Sequence, residues 1–114
     1  MTIQRIETNA RMSEAVVHGQ IVYLAGQVGR PEDGIQDQVR TVLAEIDRLL
    51  AKVGSNKSKI LQATIWLADM ADFGAMNEVW ETWVDPQNPP ARATGEVKLA
   101  GPDYKIEIII IAAI

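Results

Sequence analysis

At 114 residues and 47% hydrophobic content, the chain is expected to form a single domain, 1–114, long enough to bury a core of its own. It has no cysteine and one histidine, His18, which excludes disulfides, thiolate nucleophiles, cysteine-based zinc sites and multi-histidine metal centres. The net charge of −4 sets the average field against nucleic acid and anionic membranes, and proton transfer in any active site is expected to run through carboxylates, hydroxyls, backbone or water rather than imidazole pairs.

The opening residues, Met1 to Glu7, mix charged and apolar side chains and lack the apolar centre of a signal peptide. The longest apolar run, Ile108 to Ile114, is far short of the ~20 residues that a spanning helix needs, so the expected compartment is the cytoplasm with no membrane partner. Residues 3 to 8 carry a weak period-two alternation, read as a short edge strand. Ala15-Val16-Val17 and Ile21 to Ala25 flank His18-Gly19-Gln20 and read as a hairpin. Gly26 and Gly29 bracket Gln27-Val28, which fits either a bulge or close backbone approach, or a simple strand exit.

After the loop Arg30 to Gly34, the apolar positions Ile35, Val39, Val42, Leu43, Ile46, Leu49, Leu50 and Val53 form a helical stripe, closed by Gly54 as a C-terminal stop. The charges between them, Asp37 to Lys52, are assigned to a solvated face. Ser55 to Lys59 is a polar, basic connector, and Ile60 to Ala68 a strand apolar on both alternating sets. Asp72 is expected to cap a second helix whose face is Phe73, Met76, Trp80, Trp83 and Val84, with the aromatic pair read as packing rather than as a stacking platform. Asp85 to Pro90 ends that helix. The chain closes with strands over Ala91 to Lys98 and Tyr104 to Ala112, joined by a turn at Gly101-Pro102-Asp103.

The expected fold class is therefore α+β, in the order βββαβαββ: a six-stranded mixed sheet with both crossover helices on one face. Strands 60–68 and 106–111 nevertheless carry apolar residues on both sides. With no third helix to cover the open face, another copy of the chain is expected there.

Pro89-Pro90 gives the following strand a stiff entry, and Arg92 is the cation it delivers. A guanidinium is a planar, permanently charged fork suited to a carboxylate, although a structural ion pair with Glu96 or Glu107 is the competing reading. Glu96 lies on the same side of its strand as Arg92 and Thr94, whereas Glu107 alternates with Ile106 and Ile108 and faces the other way, beside Ile109.

Gly26-Gln27, Asp72-Phe73 with Asn77, Pro90-Ala91-Arg92 and Lys105-Ile106-Glu107-Ile108 together resemble the RidA/YjgF family, over nearly the whole chain. Within it, Asn56-Lys57-Ser58, Ala63-Thr64-Ile65, Leu67-Ala68-Asp69, Ala75-Met76-Asn77 and Ala112-Ala113 look most like the YoaB-type branch. The resemblance implies a chorismate-mutase-like fold and a homotrimer with clefts at subunit interfaces. It also implies hydrolysis of reactive enamines and imines, such as 2-aminoacrylate, to 2-keto acids and ammonia, with no metal or cofactor. On this resemblance Arg92 matches the arginine that holds the substrate carboxylate, Gly26 a position whose backbone faces the ligand, and Thr94 a position that is often cysteine.

The chain also departs from the pattern. Ile109 stands where a second glutamate, credited with positioning the attacking water, is expected. Arg11-Met12 replaces an aromatic residue of the early loop, which puts Met12 at the substrate, and Ala25 stands where serine is common. The expected site is thus Arg92, Thr94 and Glu96 as the chemical groups, with Glu96 standing in for the missing acid/base and Glu107 read as structural. Gly26, Ala93 and Met12 are expected to contact substrate, the backbone near Gly26 and Ala93 binding the imine nitrogen or a water. Two further functions remain open: non-catalytic capture of a small carboxylate metabolite, and endoribonuclease or translation-inhibitor activity, against which the acidic charge and single histidine weigh.

Overall fold

The last strand is the axis of the fold, because its side chains alternate between two destinations. In the computed structural model, which describes residues 1–114, this strand spans Ile106–Ala113; Ile106, Ile108, Ile110 and Ala112 are fully buried, while Glu107, Ile109, Ile111 and Ala113 between them are only half-buried. Numbered in chain order, the elements are β1 (Ile3–Thr8), β2 (Ser13–His18), β3 (Ile21–Leu24), β4 (Gln27–Val28), α1 (Ile35–Lys52), β5 (Ile60–Leu67), α2 (Phe73–Trp83), β6 (Ala91–Glu96) and β7 (Ile106–Ala113). The sheet runs β1-β2-β3-β7-β5-β6, with β4 also pairing β7. Only β5 and β6 are parallel, so the sheet is mixed as expected. Helix α2 links these neighbours, whereas α1 joins strands on either side of β7.

Both helices pack on one face. Val39, Val42, Leu43, Ile46, Leu49 and Leu50 of α1 and Met76, Val79 and Trp80 of α2 share a single core with Ala15, Val22, Leu24, Ala63, Ile65, Leu67 and the buried set of β7. No helix covers the other face, where Tyr23, Ile111, Ile109, Thr64 and Trp66 follow one another across the register. No helix of the chain is long and apolar enough to cross a membrane.

Two details refine the sequence reading. The third strand breaks after Leu24 and resumes as β4: five residues from Tyr23 to Gln27 oppose four from Ile111 to Ile108, which makes Ala25-Gly26 a bulge and adds a short seventh strand to the six expected. Asp72 makes no capping hydrogen bond. The cap lies one turn earlier, where Asp69 Oδ1 accepts from Ala71 N–H at 2.9 Å and starts a 3₁₀ turn that runs directly into α2.

The charged face of α1 is not wholly solvated. Arg48 (2.7 Å) and Lys52 (2.8 Å) both donate to Glu7 of β1, whose positive φ of 51° turns the strand end toward them. The two cations hold the Glu7 carboxyl down at about 2. A depressed carboxylate contributes stability above its ordinary value of 4.5 that is lost as pH falls through about 2. Glu7→Gln is therefore expected to flatten that part of the stability profile, read by urea unfolding across this pH range, and added salt to shrink the difference between the two proteins.

Candidate functional site at the sheet edge

Pro89-Pro90 leads straight into β6, an edge strand paired only with β5, so alternate backbone N–H and C=O groups along it have no ladder partner. Arg92 is in register with Ala63, which lies in the core, and so projects toward the helices rather than the open face. There its guanidinium carbon lies 5.5 Å from the ring centre of Trp80 and 5.8 Å from that of Phe73. The two rings stabilise the cation through their faces without consuming its N–H donors. None of the ion pairs within the chain involves Arg92. Phe73 and Trp80, read from sequence as core packing alone, thus also cradle the guanidinium.

Thr94 follows on the same side, in register with Ile65. Its Oγ1 is buried and has no hydrogen-bond partner, the only such side-chain atom in the chain. Leaving a buried hydroxyl unpaired costs about 1–3 kcal/mol, which a ligand group or water reaching this position would recover. Glu96 lies farther along the same side, but its Oε1 already accepts the Met70 N–H at 3.0 Å. It also lines a cavity of about 420 Å³ at the C-terminal end of β6, formed with Ala68, Lys98, Leu99, Pro102 and Tyr104, in which Arg92 takes no part.

The remaining expected residues lie elsewhere. Ala93 faces the open side beside Thr64. Gly26 sits next to β4, three strand spacings from β6, or ~14 Å. Met12 is exposed in the β1–β2 turn, which Asn9 ties by accepting from the N–H groups of Arg11 and Met12. One chain therefore unites Arg92 and Thr94, with Glu96 directed away, and leaves Gly26 and Met12 apart from them.

Glu107 is the group that sequence reading set aside. It projects to the open face, and its carboxylate fills the space that a side chain at Gly26 would occupy: a Cβ built there would overlap Oε2. Glycine at 26 is thus a requirement of close approach. Burial alone pushes the Glu107 carboxyl above its ordinary value. The signal was present in the sequence, since Glu107 is the one charged residue in a strand whose other outward positions are Ile109, Ile111 and Ala113. A carboxyl lifted toward neutrality can both give and take a proton.

The endoribonuclease L-PSP family model matches residues 2–114. A RutC family protein from Haemophilus influenzae is 54% identical, covering 98% of each chain, and the RutC family protein YoaB of Escherichia coli is 46% identical over the full length of both. Reactive Intermediate Deaminase A of Arabidopsis thaliana is 35% identical across 90% of this chain and 58% of its own. Among solved structures, a YjgF family member from Neisseria meningitidis superimposes with a TM-score of 0.94 at 43% identity, covering 99% of this chain and 95% of the other.

The Glu107 carboxyl, raised by burial, favours the folded state most when protonated. Its contribution is full below the ordinary value of 4.5 and is lost as pH rises through the folded-state value. Glu107→Gln should therefore gain stability over wild type at about pH 8 and little at about pH 4, measured by urea unfolding. Gly26→Val, which displaces the carboxylate into water, should remove this pH dependence while Glu107 is still present.

Proposed function

The chain belongs to the endoribonuclease L-PSP family, in its YoaB-like RutC branch, and from that premise we propose that it hydrolyses small reactive imines and enamines bearing a carboxylate, of the 2-aminoacrylate type, to 2-keto acids and ammonia. The observation that carries this reading is Arg92, a guanidinium held by two aromatic faces with no acidic partner in its own chain, next to a buried hydroxyl that lacks one.

In this reading Arg92 takes the substrate carboxylate through paired N–H donors, and Thr94 Oγ1 donates to the same carboxylate or to the imine nitrogen. Orientation supplies most of the rate, because a protonated imine is already electrophilic. The water oxygen bonds to the imine carbon and its proton passes through a carboxyl group to nitrogen. The nitrogen is then an ammonium and the carbinolamine collapses: the C–N bond breaks, the carbinol hydroxyl loses its proton to the carboxylate as the C=O forms, and ammonia departs. Glu107 suits this transfer better than Glu96, since its carboxyl is raised by burial while Glu96 holds the Met70 N–H.

Arg92 and Glu107 lie on opposite faces of one chain, so the site is completed when β6 of one copy reaches the open face of another. The assembly proposed is a homotrimer with a site at each subunit interface. The uncovered Tyr23, Trp66, Ile109 and Ile111 support it, since an isolated chain would leave them facing water. RNA cleavage, suggested by the family's description, has less support: the net charge is −4, and the one histidine, His18, is exposed at the β2–β3 turn.

An amino-acid oxidase generates the imine, and semicarbazide traps whatever imine escapes hydrolysis. The protein should lower the trapping rate, Arg92→Ala should restore the control rate, and Arg92→Lys should retain only a small part of the activity because the fork is lost. An unchanged trapping rate with the unmutated protein, together with saturable binding of a 2-keto acid, would replace catalysis by metabolite capture.

A further inference from the structure

The cavity at the end of β6 lies beyond the Arg92 site and is not used by the proposed reaction. Glu96, which lines it, is four residues from Arg92 along an extended strand, or ~13 Å. The cavity's volume of about 420 Å³ falls within the ~300–1,000 Å³ typical of small-molecule sites.

Its walls are fixed. The side-chain amide of Gln38, fully buried, donates to the carbonyls of Asp33 and Asp103 and accepts from the Lys105 N–H, which pins the β6–β7 loop to α1. Gly101 lets the Tyr104 ring lie against the turn backbone, because a Cβ at 101 would meet the ring at 3.0 Å. Such a loop needs little ordering on binding.

Its chemistry is of two signs. Lys98 and Glu96 both line the cavity, yet they form no ion pair with each other or with any other residue. Glu96 gives one oxygen to the Met70 N–H and keeps the second free. Between the charges are Leu99, Pro102, Ala68 and the ring of Tyr104, an apolar surface.

We propose that this cavity is a second ligand site, and that it takes a free α-amino acid with an apolar side chain: carboxylate on Lys98, ammonium on Glu96, side chain against Pro102 and Tyr104. A 2-keto acid lacks the cation that Glu96 requires and would set its own carboxylate in the same small space as that of Glu96. The two sites of the chain thus differ in chemistry, the Arg92 fork taking a carboxylate alone and this cavity a zwitterion.

Calorimetric titration of the intact protein with L-leucine tests the assignment, with N-acetyl-L-leucine, L-leucinamide and 4-methyl-2-oxopentanoate as probes that each lack one charge. Leucine should bind saturably, and in Arg92→Ala, where the fork can no longer take a carboxylate, each one-charge probe should bind about tenfold or more weakly than leucine, the scale of one lost charge-assisted contact. Lys98→Met, at an exposed position that should leave folding and imine hydrolysis unchanged, should weaken leucine by a similar factor; Arg92→Ala should bind it as wild type does. Absence of saturable binding would overturn the proposal, as would binding that survives Lys98→Met and disappears in Arg92→Ala. Leucine binding retained by a protein that hydrolyses no imine would count against the proposed reaction and not against this site.

Discussion

The constraint on which the structure depends is the period-two alternation of β7 at the middle of a sheet whose helices all lie on one side. Ile106, Ile108, Ile110 and Ala112 build the core with α1 and α2, and the same geometry commits Glu107, Ile109, Ile111 and Ala113 to the uncovered face. A one-residue slip would exchange these sets and bury a carboxylate among the helices. The bulge at Ala25-Gly26 matters for the same reason: it corrects the register between β3 and β4 and leaves, at Gly26, the space that the Glu107 carboxylate fills.

Arg92 belongs to the other half of this division. Its parity on β6 sends it to the helix side, where Phe73 and Trp80 hold the guanidinium by their faces and leave its edges free, with the unpartnered Thr94 hydroxyl beside it. Anchor and acid are thus set on opposite faces by strand alternation alone, and a site that uses both must be shared between copies. In the proposed trimer, that would give the uncovered apolar face a function beyond simple burial.

Much of this was legible in the residues. The stripe from Ile35 to Val53 follows from helical periodicity, the hairpin from β-branched runs about Gly19, and the strand Ile60 to Leu67 and the isoleucine-rich last strand from continuous apolar runs, while the uncovered face followed from counting helices. What the sequence concealed depends on atoms brought together from distant positions. The pairing of Glu107 with Gly26 spans 81 positions and rests on a missing Cβ, so strand parity alone made Glu107 seem structural. Glu96 has the right parity but is drawn away by the Met70 N–H, a consequence of the 3₁₀ turn that Asp69 caps where Asp72 was expected to cap the helix itself. The cradle of Phe73 and Trp80 depends on where α2 lies relative to Arg92 of β6, which helical spacing cannot give.

The most direct measurement is subunit complementation. Arg92→Ala and Glu107→Gln chains, each inactive alone in imine hydrolysis, are unfolded together in equal amounts, refolded and assayed. If sites form between copies, the mixture should recover about a quarter of the wild-type rate, the share of interfaces in randomly assorted trimers that pair an intact Arg92 with an intact Glu107. A mixture no more active than its components would contradict the shared site.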